Sequence, residues 1–537
     1  VGIAAGDDVE VRRVTLHDES NRPRRISVTS AGHPVLLDAR QAPSHPAFSS
    51  LFVTSEPLRE LDGLVFARRA QSAEEQPVVL VHRLVREGKA VRFAGSESDR
   101  SAFYGRGGSR ELPLSLVNGR GSLEGTFGAV LDPTMSLMAQ VELEPMGTTS
   151  LAFVTSVARS RGGAVELARK YGSMHAVRWA FRDAEQESRR RLRRSKIEPE
   201  LLPTAQRLFS VIHYGLYTQP AAAALEPPCQ ARLWSWGISG DDPIVVVRVE
   251  DPSAPVLAEV LGVQRFLRAC GVRLDLVLVD EQASGYVTDG SGSLRKLLAD
   301  SEADPWINRK GGVYVIAADQ VPKSELLHLE ACARIVFDTR AGSLAPQLAR
   351  PLDPTPQLPR FEGTLAALIA PPFEDRPSLR PELSFDNGVG GFSTDGREYV
   401  LQVSAGAPPP APWCNVMANP ELGCILSESS LGATWSLNSG ENRLTPWRND
   451  PVFDTPSEAL YLRDEETAVV WTPTPLPAGR ESATLVRHGA GYTSYERESQ
   501  GLSQELTVFV PPDAGLKIVR LRLKNALDRP RRVTATY

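Results

Sequence analysis

The densest chemistry in the chain lies between residues 427 and 450. Two tryptophans, Trp435 and Trp447, stand there among Glu428, Asn438, Glu441, Asn442, Arg443, Asn449 and Asp450. An indole face packs on the apolar C–H surface of a sugar ring, while carboxylates and amides satisfy the surrounding hydroxyls. Trp435, Glu428, Asn438, Glu441, Asn442, Arg443, Trp447 and Asp450 are therefore the candidate substrate-binding residues, with carbohydrate as the ligand class. The alternative is structural: both tryptophans fill a sandwich core and the polar residues build turns. Glycosidic chemistry needs two carboxyls roughly 5–10 Å apart across a cleft. Sequence proximity supplies that geometry neither to Glu428 with Glu441 nor to Asp450 with Asp454, so no catalytic residue is assigned.

Other clusters read as ordinary structure. Asn387-Gly388-Val389-Gly390-Gly391 lacks the Lys-Ser/Thr of a phosphate-cradling loop and no helix follows it, which leaves a tight turn. Asp280-Glu281 follow one apolar strand and Gly237–Asp242 precede another. Together they would line a crevice, but no G-x-G-x-x-G or metal-ligand set accompanies them, and they are taken as loop and capping residues. The cysteines (229, 270, 332, 414 and 424) are odd in number and form no C-x-x-C pair. Reduced, mostly buried thiols are expected, with no zinc site, disulfide framework or cofactor. The run Arg189-Arg190-Arg191-Leu192-Arg193-Arg194 would suit anionic lipid. Glu185 and Glu187 precede Arg189 and Arg191 by four residues, however, and a solvated, ion-paired helix face is expected. His45 and His488 are expected to be structural.

The elements that position these groups are mostly strands. Residues 9–30 (VEVRRVTLHDESNRPRRISVTS) and 516–537 (LKIVRLRLKNALDRPRRVTATY) are two copies of one segment, aligned without a gap. Arg13, Leu16, Arg22, Pro23, Arg24, Arg25 and Thr29 recur as Arg520, Leu523, Arg529, Pro530, Arg531, Arg532 and Thr536. Each copy reads as two alternating strands joined by a turn, as in a hairpin. A repeat at both extremities implies two related β-domains, entered and left partway, within a longer polypeptide. Terminal strands would then carry unpaired edges, which allows strand-mediated homodimers, unless the two halves complement each other.

Composition sets the outer bounds. With 537 residues, 42% hydrophobic and 23% charged, the chain can bury several cores. Its 42 prolines and 42 glycines favour a loop-rich, mainly β protein. The net charge of −5 argues against nucleic acid as a partner. No apolar run approaches the ~20 residues of a membrane-spanning helix. The pattern divides as follows: 1–160, part of a first β-sandwich; 161–229, a helical linker; 230–350, an α/β connector with short apolar strands; 351–384, a Pro-rich linker; and 385–537, part of a second sandwich.

Longer motifs add a resemblance. FDNGVGGFSTDGREYVLQV (385–403), the stretch APWCNVMANPELGCILSESSLGATWSLNSGENRLTPWRNDPVFDTPSEALYLRDEE (411–466) and VRHGAGYTSYERESQGL (486–502) resemble the β-supersandwich of glycoside hydrolase family 94, in the version carried by cyclic β-1,2-glucan synthases. HPAFSSLFV (45–53), LWSWGISGDDPIVVVRVED (233–251) and GGVYVIAADQ (311–320) resemble segments upstream in the same synthases. The resemblance implies a galactose-mutarotase-like, multi-domain, mainly β fold. It implies a parent glycosyltransferase that uses UDP-glucose and controls chain length by phosphorylase-like trimming, on the cytoplasmic side of a bacterial inner membrane. β-1,2-Glucan and the catalytic domains of the same polypeptide would be the partners. The family's general acid lies in an (α/α)6 barrel with no counterpart here, which implies a non-catalytic, glucan-contacting scaffold. The alternatives are a self-contained glucan phosphorylase or transglycosylase, and a pure domain-interaction module.

Overall fold

The computed structural model describes residues 1–38, 46–72, 74–117, 122–214, 229–281, 290–349 and 380–537. The chain forms two compact units, Val1–Phe181 with Arg360–Tyr537, and Arg182–Pro359. The fold is mainly β and built of several sheets.

Within the first unit, residues 1–158 make a two-layer sandwich. One sheet runs Gly2–Ile3, Val9–His17, Thr148–Ala158, Val79–Arg86, Gly63–Arg68 and Val53–Leu58; the other runs Arg24–Ser30, Pro133–Leu143 and Val91–Asp99. Alternation puts Phe66, Leu84, Leu151 and Phe153 of one layer against Leu137, Ala139 and Val141 of the other. The larger sheet's outer face carries Val9, Val11 and Val154, which are covered by Met174, Val177 and Ala180 of the helix Met174–Arg194. That burial explains why the division between units falls inside this helix and not at residue 160.

Residues 383–536 make a second layered array. A seven-stranded antiparallel sheet runs Leu383–Ser384, Gly390–Ser393, Glu398–Val403, Thr484–Gly489, Tyr492–Ser499, Leu502–Phe509 and Ile518–Asn525. The small sheet Cys414–Ala418, Leu422–Ser427, Ala433–Ser436 closes on it through Met417, Leu426, Val486, Tyr495 and Leu506. A third sheet, Val470–Trp471, Tyr461–Asp464 and Val533–Thr536, packs Leu462 and Trp471 against Leu502.

The repeat is not a pair of hairpins. Val9–His17 and Arg24–Ser30 lie in different sheets, and so do Ile518–Asn525 and Val533–Thr536. Each copy is an arch that carries the chain from one layer to the layer facing it. Asp18 and Asn525, matched in the repeat, open the two arches alike. Asp18 accepts the Ser20 amide at 2.9 Å and Asn525 accepts the Leu527 amide at 3.1 Å. The terminal strands have partners: Gly2–Ile3 pairs with Glu10 and Val11, and Val533–Thr536 with Tyr461–Asp464. Among the described residues, no sheet mixes strands from the two sandwiches, so they do not complement each other strand by strand.

The unit Arg182–Pro359 holds a parallel sheet in the order Val313–Ala317, Asp275–Asp280, Ile244–Val249, Ile335–Asp338. The helix Pro255–Ala269 supplies the crossover, as parallel strands require. Asp280 and Glu281 lie at the C-terminal end of this sheet and Gly237–Asp242 at its N-terminal end, so they line no common crevice. Where strand order reverses, Thr339 accepts the Glu250 and Asp251 amides and Gln347 braces Asp338, which fills the gap with internal hydrogen bonds. In the helix ending at Arg194, Arg189 and Arg191 pair with Glu185 and Glu187.

All five cysteines are free, but Cys229, Cys270 and Cys414 are exposed and only Cys424 is buried. The expectation of mostly buried thiols is corrected by their places at element ends and a strand's outer face. Asn387 accepts the Val389 and Gly390 amides, which makes the glycine cluster a turn. His488 bonds Thr493 and the Trp413 carbonyl inside the second sandwich, whereas His45 and the Pro-rich stretch 351–379 lie outside the described residues. Among the described residues no helix is long and apolar enough to cross a membrane.

Candidate functional site

The site begins with a β-hairpin that leaves the second sandwich. Strand Ala433–Ser436 turns through residues 437–442 and returns as Arg443–Thr445, held by Ser436 N–H to Asn442 O at 2.9 Å and Leu444 N–H to Thr434 O at 3.0 Å. Asn438 makes the turn by accepting the Gly440 and Glu441 amides at 2.8 and 3.0 Å. Trp435 is half-buried at the hairpin base. Its indole lies so close to Gly423 that a Cβ there would come within 2.4 Å of the ring.

Beyond the hairpin, residues 446–453 meet the first sandwich and enclose a cleft of about 960 Å³. Trp447 is 40% exposed there. Arg443, Arg448, Asn449, Asp450 and Phe453 join it from the second sandwich; His33, Arg100, Tyr104, Arg110 and Asp132 come from the first.

Arg100 clamps the two sandwiches together. Asp99 caps the short helix Arg100–Tyr104 by accepting the Ser101 amide, and so fixes where Arg100 starts. The buried guanidinium donates to both Asp450 oxygens, at 2.9 and 2.8 Å, and to Asp132. It also covers the Phe453 ring at 4.7 Å, with Tyr104 edge-on to the same ring at 5.2 Å. Burial alone would raise the Asp450 carboxyl. The Arg100 hydrogen bonds, with the Phe453 and Val452 amides, outweigh it and hold Asp450 below the usual carboxylate range.

A second clamp lies beneath. Arg106 donates to Glu428 at 2.7 Å, and Glu428 also accepts the Trp413 amide at 2.7 Å and the Ser429 hydroxyl at 2.8 Å, with its side chain fully buried. Asp454 sits beside a void of about 20 Å³ under the loop, bonded by the Ser427 hydroxyl. Burial pushes its carboxyl up to about 7, reinforced by the Glu428 charge and opposed by the Ser427 hydrogen bond and Arg106.

The structure thus divides the eight candidate residues. Trp447, Arg443 and Asp450 line the cleft. Glu428 is an internal salt-bridge partner, and Trp435 packs on backbone. Asn438, Glu441 and Asn442 occupy the exposed hairpin tip, away from the cleft lining. The carboxylate pairs dissolve as well. Glu428 is buried while Glu441 is exposed; Asp450 is salt-bridged while Asp454 lies below the floor.

Sequence reasoning missed Arg100, Tyr104 and Arg110; Arg100 lies 350 residues upstream of its partner Asp450, and the other two meet the Phe453 ring. The one available signal was an arginine-studded, glycine-rich turn, Gly105–Arg110, among the strands. Among the described residues, no group of three or more His, Cys, Asp or Glu side chains is placed to hold a metal.

Comparison with known proteins places this geometry. The family described as glycosyl hydrolase 94, supersandwich domain, matches residues 1–174 and 397–537. The chain is 29% identical over 543 aligned residues to a cyclic beta-(1,2)-glucan synthase, NdvB, of Rhizobium meliloti (strain 1021). That match covers 99% of this chain and 19% of the synthase, so the chain spans about a fifth of that relative's length. It is also 29% identical over 149 residues to N,N'-diacetylchitobiose phosphorylases of Vibrio proteolyticus and Vibrio furnissii, covering 27% of this chain and 18% of each. The family match takes in both sandwiches and both walls of the cleft, and the chain belongs to the glycosyl hydrolase 94 supersandwich family.

Proposed function

We propose that this chain is a non-catalytic, glucan-contacting scaffold of a cyclic β-1,2-glucan synthase, with the cleft between its sandwiches as the contact surface. The observation that carries this is Trp447, an indole 40% exposed in a cleft of about 960 Å³. An aromatic held at that exposure by a salt-bridged loop is a platform for sugar rings. Glycan-related function follows from family membership; the β-1,2 linkage comes from the glucan synthase, whose similarity runs along 99% of the chain.

The cleft's carboxylates speak against chemistry at this place. Asp132 and Asp450 both engage Arg100, and Asp450, held below the usual carboxylate range, is a poor proton donor to a glycosidic oxygen. The catalytic steps then belong to other domains of the polypeptide, beside a bacterial inner membrane on its cytoplasmic side.

Calorimetry with β-1,2-glucooligosaccharides in the presence of phosphate, followed by chromatography of the mixture, tests this. Binding with unchanged oligosaccharides is expected. New products would establish a self-contained phosphorylase or transglycosylase, and absence of binding would leave a domain-interaction module.

A further inference from the structure

We propose that the cleft takes an anionic saccharide, with a phosphoryl or carboxylate group held by Arg110, Arg443 and Arg448 beside a sugar ring on Trp447. This deepens the function proposed above and rests on it, because Trp447 supplies the sugar half of the recognition.

The chain carries a net charge of −5, yet four arginines line this one concavity against two carboxylates, Asp132 and Asp450. Arg100 binds both of those acids. Among the described residues, no carboxylate forms an ion pair with Arg110, Arg443 or Arg448, and all three are exposed.

Their placement is also restrained. Arg443 is bridged through its backbone to Trp435, and its Nε donates to the Ser439 carbonyl at 3.0 Å, leaving the terminal nitrogens for a ligand. Arg110 lies over the Phe453 ring at 5.9 Å. Arg448 follows Trp447 directly. Gathering like charges in one concavity costs self-repulsion and raises the local concentration of anions. A neutral glucan would use the hydrogen-bond donors of these arginines but not their charge. A guanidinium fork matches the oxygens of phosphate or carboxylate, and the volume accommodates a ligand of a few sugar rings.

The test is calorimetry on the full chain with glucose 6-phosphate, glucuronic acid, glucose and inorganic phosphate, each at low and physiological salt. The charged sugars should bind about tenfold or more tighter than glucose, and salt should narrow the gap. The variant Arg110→Ala/Arg443→Ala/Arg448→Ala should bring charged sugars and glucose to parity. The matching triple lysine variant should keep part of the preference, since it retains charge without the fork. Trp447→Ala should weaken every sugar and leave inorganic phosphate unchanged. Glucose binding as tightly as the charged sugars, or a preference that survives the triple alanine variant, overturns the anionic inference and leaves the glucan contact standing. Charged sugars that bind no better than inorganic phosphate, and that Trp447→Ala does not touch, overturn both.

Discussion

Replacing Asp454 by Asn should make the first unit less sensitive to alkaline pH. In the folded state the Asp454 carboxyl is raised from its ordinary 3.8 to about 7, by burial first and by the Glu428 charge second. A raised folded value means the native state binds this proton more tightly than the unfolded chain. Its contribution is complete below about pH 4, falls as pH climbs, and is gone above about pH 7. Between pH 5 and pH 8 the loss is on the order of 2–3 kcal/mol.

Two buried histidines act in the opposite direction. His82 is lowered to about 3 by burial and by the Arg12 charge, and His488 to about 4 by burial against its bond to the Trp413 carbonyl. Both contributions are full above pH 6.5 and shrink as pH falls below it. Taken together, these three groups should favour stability most near pH 6 to 7. Asp454→Asn removes only the alkaline limb. Its stability relative to wild type in urea unfolding should be greater at pH 8 than at pH 5 by the equivalent of about 2–3 kcal/mol. Hydrogen exchange at Ser427 and Ser430 would assign the change to this unit. A wild-type-to-variant difference that is the same at both pH values, or a variant that loses ground to wild type between pH 5 and pH 8, refutes the assignment of a buried, proton-retaining carboxyl.

Three further substitutions probe the frame around the cleft. Arg100→Met strands Asp132 and Asp450 without their guanidinium and should cost about 3–5 kcal/mol in thermal or urea unfolding; an unchanged midpoint would contradict the clamp. Tyr495→Phe removes the hydroxyl that reaches the Ser427 and Ser430 carbonyls at 2.7 and 3.0 Å from a fully buried ring. It should cost about 1–2 kcal/mol without altering the circular dichroism spectrum. Gly432→Ala sets a Cβ 1.8 Å from the Ile425 carbonyl at φ +59°, and should sharply reduce soluble yield or melting temperature.

The strands themselves were legible because alternation and short apolar runs follow from burial on one face or two. The internal repeat was legible as well, but its geometry was not. A strand-turn-strand pattern does not say whether the second strand rejoins its own sheet or crosses to the facing one. Which layer receives Arg24–Ser30 is decided by pairing with Pro133–Leu143, more than a hundred residues away. The same limit applies at the cleft. Trp447, Arg443 and Asp450 stood out by residue type, whereas Glu428 looked similar and is buried, because its environment is set by Arg106, 322 residues away in sequence. Asn438 has sugar-binding chemistry but spends it on its own turn, a local competition that residue type alone does not reveal.

On the proposed function, Trp447 in the inter-sandwich cleft contacts β-1,2-glucan. Titration of a β-1,2-glucooligosaccharide by calorimetry into wild type, Trp447→Ala and Trp435→Phe tests it most directly. Wild type should bind, Trp447→Ala should bind about tenfold more weakly, and Trp435→Phe, whose ring packs on Gly423, should keep wild-type affinity. Equal affinity in wild type and Trp447→Ala would contradict it.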